Sequence, residues 1–237
     1  MSSTTSTGTP DCGTHPDGPV RASRRVLVDL GPLAQLRAGR LARRLPQLYV
    51  GLFLYGVSLA LMVRGALGLA PWDVLHSGFI RHVPMTLGQA VVLFSFVVLV
   101  LWIPLREMPG LGTISNAVVV GLSADLTLAV LDRPDALAAR LGLMIGGVAL
   151  CGLASALYIG AQLGRGPRDG LMTGLARRTG LSLRLVRTGL EVAVVVIGLL
   201  LGGVLGVGTV VYALAIGPLT QLMLPWFTVD VAVPVTD

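Results

Sequence analysis

Two stretches of this chain match each other at a constant offset of 96 positions with no gap, and that repeat limits the possible folds more than any local motif. Gly68, Pro71, Asp73, Leu75, Gly78 and Arg81 return as Gly164, Pro167, Asp169, Leu171, Gly174 and Arg177. Further along, Gly110, Gly112, Thr113, Ala117 and Gly121 return in the same register as Gly206, Gly208, Thr209, Ala213 and Gly217. Two separated signatures keep their mutual spacing in both copies, so one structural unit has been used twice and its special residues are expected in pairs.

The repeated unit is built for lipid. Hydrophobic residues make up 54% of the chain and charged residues 13%, with a mean hydropathy of +0.81. An ordinary soluble domain carries about 25% charged residues. The expected class is all-α, a polytopic membrane helix bundle whose first partner is the lipid bilayer. The net charge of +6 does not point to nucleic acid, because the 18 basic residues are all arginine and mostly flank apolar runs, where they mark topology. Cys12 and Cys151 form neither a metal-ligand spacing nor a disulfide framework. No cofactor or metal is expected.

Residues 1 to 25 are polar and poor in apolar side chains, which predicts disorder. From Val26 to Leu45 leucines and valines alternate with Arg37, Arg40, Arg43 and Arg44, the pattern of a basic amphipathic helix on an anionic surface or of a loose basic flank. Residues 1–45 thus read as a cytoplasmic tail, 46–227 as the membrane domain and 228–237 as a short second tail. The first apolar run starts too late for a secretory signal and has no cleavage site after it, so it is expected to stay in the mature protein.

Six apolar runs approach the roughly 20 residues needed to cross a bilayer, near 47–63, 87–104, 112–131, 141–163, 184–204 and 207–227. Repeat 1 covers about 47–131 and repeat 2 about 141–227, three spans each. An odd number of spans makes the second copy enter from the opposite face, which predicts inverted-topology repeats. With both termini cytoplasmic, 14 arginines fall inside and 4 outside, a bias in the direction the positive-inside rule requires. Trp102, Trp226 and Phe227 close spans and are expected at the headgroup level.

Between the first and second spans of each copy lies a short Pro-Asp motif, Pro71-Trp72-Asp73 and Pro167-Arg168-Asp169. Proline suits the first turn of a helix and an acid two places on suits its positive end. The motifs predict short helices over 71–82 and 167–178, each about 18 Å long, too short for a hydrocarbon core of roughly 30 Å. One reading makes them interfacial connectors whose Asp73 and Asp169 cap their own helix, with Gly78 and Gly174 allowing close packing. The other makes them re-entrant, with N-termini and carboxylates pointing into a polar cavity.

Thr113 and Thr209 follow glycines before the third span of each copy and are expected as helix N-caps. Asp125 falls inside a span, where a carboxylate should face the bundle interior, either in a proton- or cation-linked role or in a structural hydrogen bond. Its counterpart is Gln221, so the symmetry breaks there. Glu191 is expected to pair with Arg187 one turn earlier. His15, His76 and His82 share no face, and no lysine or Walker pattern occurs. No hydrolase or zinc-protease motif is present, so catalysis is not expected.

Leu-Gly-x-x-Pro-Trp-Asp-x-Leu at 67–75 and Gly-Thr-Ile-x-Asn at 112–116, followed by Gly121 and Asp125, resemble the YczE/YyaS/YitT-like bacterial membrane proteins over about 46–225, the YczE branch most of all. The resemblance implies a multi-pass protein of the cytoplasmic membrane with permease-like roles proposed and no assigned substrate. The second copy departs from the pattern by Arg168 for Trp72 and Gln221 for Asp125. The expected function is transport of a small solute, with Pro71, Asp73, Pro167, Asp169, Asp125, Thr113 and Thr209 as the binding residues. The alternative is a scaffold, or a homo-oligomer, that binds a protein partner through a small-residue face of Gly146, Gly147, Gly152 and Ala156.

Overall fold

The computed structural model describes residues 31–231, and among these every regular element is helical. The expected disordered tail, the start of the expected Val26–Leu45 helix, Cys12 and His15 lie outside the described residues. The helices are α1 (Pro32–Arg37), α2 (Leu41–Gly65), α3 (Pro71–Phe79), α4 (Leu87–Leu105), α5 (Leu111–Val130), α6 (Leu137–Gly160), α7 (Pro167–Thr179), α8 (Leu183–Leu200) and α9 (Val207–Phe227). Helices α2, α4, α5, α6 and α9 are long and apolar enough to cross a bilayer. Helix α8 is as long as a short span but carries Arg184, Arg187 and Glu191.

The repeat extends to the boundaries of the helices. Helices α2, α3, α4 and α5 start at 41, 71, 87 and 111, and α6, α7, α8 and α9 start 96 positions later. Thr86 caps α4 by accepting from the Gln89 amide at 3.1 Å, and Ser182, its counterpart, caps α8 by accepting from Leu185 at 3.3 Å. Breaks recur as well: Ala66 and Gln162 are both left-handed, and Gly68 and Gly164 sit at φ of 128° and 131°. Helices α2 and α6 begin several residues before their apolar runs, at Leu41 and Leu137 rather than near 47 and 141. Their first turns are held by arginines that bond protein carbonyls, so the helix outruns the stretch that hydropathy marks. The basic segment before α2 is not one helix in its described part, because Gly39 and Arg40 take positive φ and separate α1 from α2.

Helices α2 and α6 pack together and run antiparallel. Arg44 at the start of α2 donates to Ala161 and Gln162 at the end of α6, and Arg140 at the start of α6 donates to Gly65 and Ala66 at the end of α2. Small residues allow the close approach, as lipid-embedded interfaces require. A Cβ on Gly51 would fall 2.8 Å from the Tyr158 amide, and one on Gly147 would fall 2.8 Å from Met62. Gly152 packs on Leu219 of α9, and Ala156 is buried. Of the small-residue face expected to meet a partner, only Gly146 has open space before it. The outer surface is apolar, with Val100, Leu122, Val130, Leu200, Leu214 and Leu222 all exposed.

The two halves exchange their short helices, since α3 packs on α8 and α7 on α4. The chain after each first long helix turns back into the bundle through a reciprocal pair of backbone bonds. The Gly112 amide donates to Leu163 at 2.7 Å, and Gly208, its counterpart, donates to Leu67 at 2.8 Å. Trp102 does not face outward: it is buried beneath α7 and donates its indole N–H to Pro167 at 3.0 Å. Trp226 is exposed at the end of α9.

Candidate functional site

Proline at the first position starts each short helix, and in both cases the start is inside the bundle. Trp72 joins Leu75, Val98, Trp102, Leu171 and Val194 in one buried cluster where α3, α4, α7 and α8 cross. Val98 and Val194 are interior positions of α4 and α8, so both short helices pack against the middle of a longer helix. The N-termini of α3 and α7 approach each other there. The Arg168 guanidinium lies 5.3 Å over the Trp72 ring and 4.0 Å from Asp73 Oδ1. Trp72 and Arg168 are 96 residues apart, so each is stacked on its own counterpart.

Neither aspartate caps its helix by a side-chain bond, contrary to the connector reading. Asp73 is buried, with Oδ1 3.0 Å from Nδ1 of His76 one turn on. Asp169 accepts a 2.6 Å hydrogen bond from the Tyr158 hydroxyl of α6. Proline removes the first amide of each helix, the Asp73 and Val74 amides turn back to Ala70 at 2.8 and 3.0 Å, and the Gly170 amide turns back to Gly166 at 3.0 Å.

A cavity of about 190 Å³ opens at this point. Pro71 and Trp72 form one side, Arg168 and Asp169 a second, and Tyr55, Tyr158 and Tyr212 bring hydroxyls from α2, α6 and α9. Arg187 and Glu191 of α8 also reach it and pair at 2.9 Å, as the sequence predicts, while Gln221 closes the α9 side. A smaller space of about 40 Å³ shares Tyr55, Tyr158, Arg168 and Asp169 with the first, and Pro167 lines it. Its remaining wall includes Val91, Ser95, Asn116 and Val120, and these are the 96-residue counterparts of Arg187, Glu191, Tyr212 and Ile216 in the larger cavity. The same location in the two halves thus holds about 190 Å³ in one and about 40 Å³ in the other.

Three of the expected site residues lie elsewhere. Thr113 and Thr209 are not N-caps: α5 and α9 begin two residues earlier, with Gly110 and Gly206 at the cap. The threonine hydroxyls reach back to accept from those glycine amides at 3.1 and 3.4 Å, and Thr113 also donates to Arg165 at 2.7 Å. The glycine turn is tighter than a Thr cap would allow, because Gly110 and Gly206 lie against the opposite half's crossing loop. Asp125 sits near the end of α5 and accepts from the Thr86 hydroxyl at 2.5 Å and the Gly88 amide at 2.8 Å. It is a carboxylate at the positive end of α4, a structural bond between neighbouring helices, and it does not line the cavity.

The sequence reading missed Tyr55, Tyr158, Tyr212 and Arg168 as wall residues. Hydroxyl-bearing rings inside apolar runs were the available signal, together with Arg168 as the position where the repeat departs most sharply from itself.

The profile of the family of unknown function DUF6198 matches residues 42–225, which include every residue that lines this cavity. An uncharacterized protein of Haemophilus influenzae is 40% identical over 177 residues, covering 75% of this chain and 81% of its own length. The uncharacterized membrane protein YczE of Bacillus subtilis is 30% identical over 179 residues, covering 75% of this chain and 83% of its own. The uncharacterized protein YyaS of the same organism is 27% identical over 183 residues, covering 74% and 90%. No solved structure matches the chain significantly. With the profile spanning the two halves and their crossing loops, the chain belongs to the DUF6198 family.

Proposed function

We propose that the protein is a multi-pass transporter of the bacterial cytoplasmic membrane, moving a small solute through the cavity at the meeting point of α3 and α7. In this reading α8 is the sixth span, its charges being tolerated because Arg187 and Glu191 pair with each other beside the cavity. The halves are then two three-span repeats in inverted orientation, with both termini cytoplasmic as the arginine distribution favours. The single observation that carries the proposal is the stacking of Arg168 on Trp72, where two interrupted helices point their N-termini at one polar cavity. Broken helices in matching positions of two halves are how membrane carriers build a binding site away from water.

The unequal twin cavities support a carrier over a static bundle. Rocking of one half against the other exchanges which cavity is open, while Arg168, Asp169, Tyr55 and Tyr158 serve both. The chemistry is binding and release, with no covalent step. The scaffold alternative loses support because Gly147, Gly152 and Ala156 are spent on internal packing. Solute flux into vesicles containing the purified protein tests the proposal. Saturable uptake that empty vesicles lack, and that a cysteine at Thr220 blocks once alkylated, is expected. Flux no higher than in empty vesicles across a broad panel of small polar solutes would leave the transport reading without support.

A further inference from the structure

We infer that the ligand of the cavity is a small organic monocation, an ammonium on a compact body, held against the carboxylate of Asp169. The inference rests on the proposed cavity as a solute site but makes a separate claim about chemistry.

Three carboxylates meet two guanidiniums at the site. Asp169 and Glu191 line the cavity with Arg168 and Arg187, and Asp73 stands behind the wall, 4.0 Å from Arg168. Both guanidiniums are already placed: Arg187 pairs with Glu191 at 2.9 Å, and Arg168 lies beside Asp73 and over the Trp72 ring. Asp169 forms no ion pair with a described residue, and its one hydrogen bond comes from the Tyr158 hydroxyl, 2.6 Å from Oδ2. His76 does not supply the missing charge. Its neutral ring serves Asp73 by donating from Nδ1, and a second proton would put a charge on a side chain 1% exposed, with its ring 5.3 Å from that of Phe94. The tyrosines and Cys151 add no charge at neutral pH.

An unpaired carboxylate inside an apolar bundle is costly, and the charge it lacks is positive. Asp169 also lines both the larger and the smaller space, so a cation bound to it stays with the wall that the two cavities share. The Tyr158 hydroxyl, which spends its proton on Asp169, keeps lone pairs that accept from an ammonium at the same point. A bare metal ion would need several oxygens at fixed short distances. The cavity instead offers Tyr55, Tyr158 and Tyr212 beside Met172 and Ile216, walls that cover a carbon body, with rings of the kind that attract its charge. Its volume of about 190 Å³ takes a body no larger than a single ring or a short chain. For scale, an engineered apolar cavity of about 150 Å³ holds benzene.

Three ligands of similar shape and different charge test this: benzylammonium, benzyl alcohol and benzoate, titrated calorimetrically into the full-length protein in nanodiscs of zwitterionic lipid, with empty nanodiscs as the blank. Benzylammonium is expected to bind at least about tenfold more tightly than either of the others. Asp169→Asn should erase that preference, whereas Asp125→Asn, which removes a carboxylate outside the cavity, should keep it. Thermal melting of each variant separates lost binding from lost fold, and the comparison of the three ligands stands on the wild-type protein alone. Equal or tighter binding of benzyl alcohol or benzoate, a preference that survives in well-folded Asp169→Asn, or no benzylammonium binding by well-folded wild-type protein each overturns the inference. Benzylammonium binding without vesicle flux of any solute removes the transport reading and leaves the cation site. Flux of a neutral or anionic solute without benzylammonium binding does the reverse.

Discussion

Arg44 and Arg140 hold corresponding positions in the two halves, and each bonds the final carbonyls of the other half's first long helix. Arg44 reaches Ala161 at 2.8 Å and Gln162 at 2.6 Å, and Arg140 reaches Gly65 at 3.0 Å and Ala66 at 2.8 Å. The partners themselves are 96 residues apart. Each arginine satisfies carbonyls that a helix end leaves open and places a cation at the negative end of a dipole. Arg44 is fully buried and also bonds Gln35 and Gly39, while Arg140 is half-buried with two such bonds.

The two arginines should therefore differ in weight. Arg44→Ala is expected to cost more stability than Arg140→Ala, because it strands more buried acceptors, with about 1.5–3 kcal/mol for each charged hydrogen bond as the scale. Thermal unfolding in detergent, followed by the loss of monodisperse protein, gives the order. A smaller effect at Arg44 than at Arg140 would contradict this account.

Gly68 and Gly164 combine positive φ with close backbone contact across the halves. A Cβ on Gly68 would come within 2.8 Å of Gly206, and one on Gly164 within 2.9 Å of Thr113. Alanine at either position should destabilise by about 1–3 kcal/mol through strain alone, with the clash added. Gly142, which has nothing within 4 Å of its Cβ position, is the control, and Gly142→Ala should be neutral or slightly stabilising.

Asp169 lines both cavities, and Asp73 lies behind the wall, 4.0 Å from Arg168 and 3.0 Å from His76. Asp73→Asn and Asp169→Asn should insert and express normally and lose flux by at least about tenfold, or roughly 1.4 kcal/mol in the limiting step. Flux must be normalised to folded protein in the vesicles. Wild-type flux in both variants would remove these carboxylates from the mechanism.

Asp125 should behave in the opposite way. Asp125→Ala removes the acceptor of the Thr86 hydroxyl and the Gly88 amide and is expected to cost about 1 kcal/mol, the scale of a lost helix cap. Flux per folded molecule should stay unchanged. A specific loss of flux in a fully stable Asp125→Ala protein would return this residue to the transport pathway.

Topology is tested by single cysteines in a chain carrying Cys12→Ser and Cys151→Ser. A cysteine at Arg133, between α5 and α6, should react with an impermeant reagent added outside the cell, and one at Arg177, near the end of α7, should not. The reverse pattern would refute cytoplasmic termini.

Much of the architecture was legible along the chain because it depends on neighbours within a few residues. Proline at the first turn of α3 and α7, the apolar runs of the long helices and the constant spacing of the repeat placed most helix starts within a few residues. The Arg187–Glu191 pair, one turn apart, was equally local. By contrast, the packing of α3 and α7 inside the bundle depends on contacts such as Gly112 with Leu163 and Gly208 with Leu67. These join segments far apart in sequence, and no capping rule encodes them. The fate of the polar residues was decided the same way. Asp125 went to Thr86, and Thr113 and Thr209 went to the glycine turns, because the nearest unpaired donor in the folded bundle was theirs. The sequence by itself determined that one helical unit was written twice into a lipid-compatible chain. Only the tertiary structure decided that the two copies meet at Trp72 and Arg168, because that encounter requires both halves to pack before either short helix has a place to end.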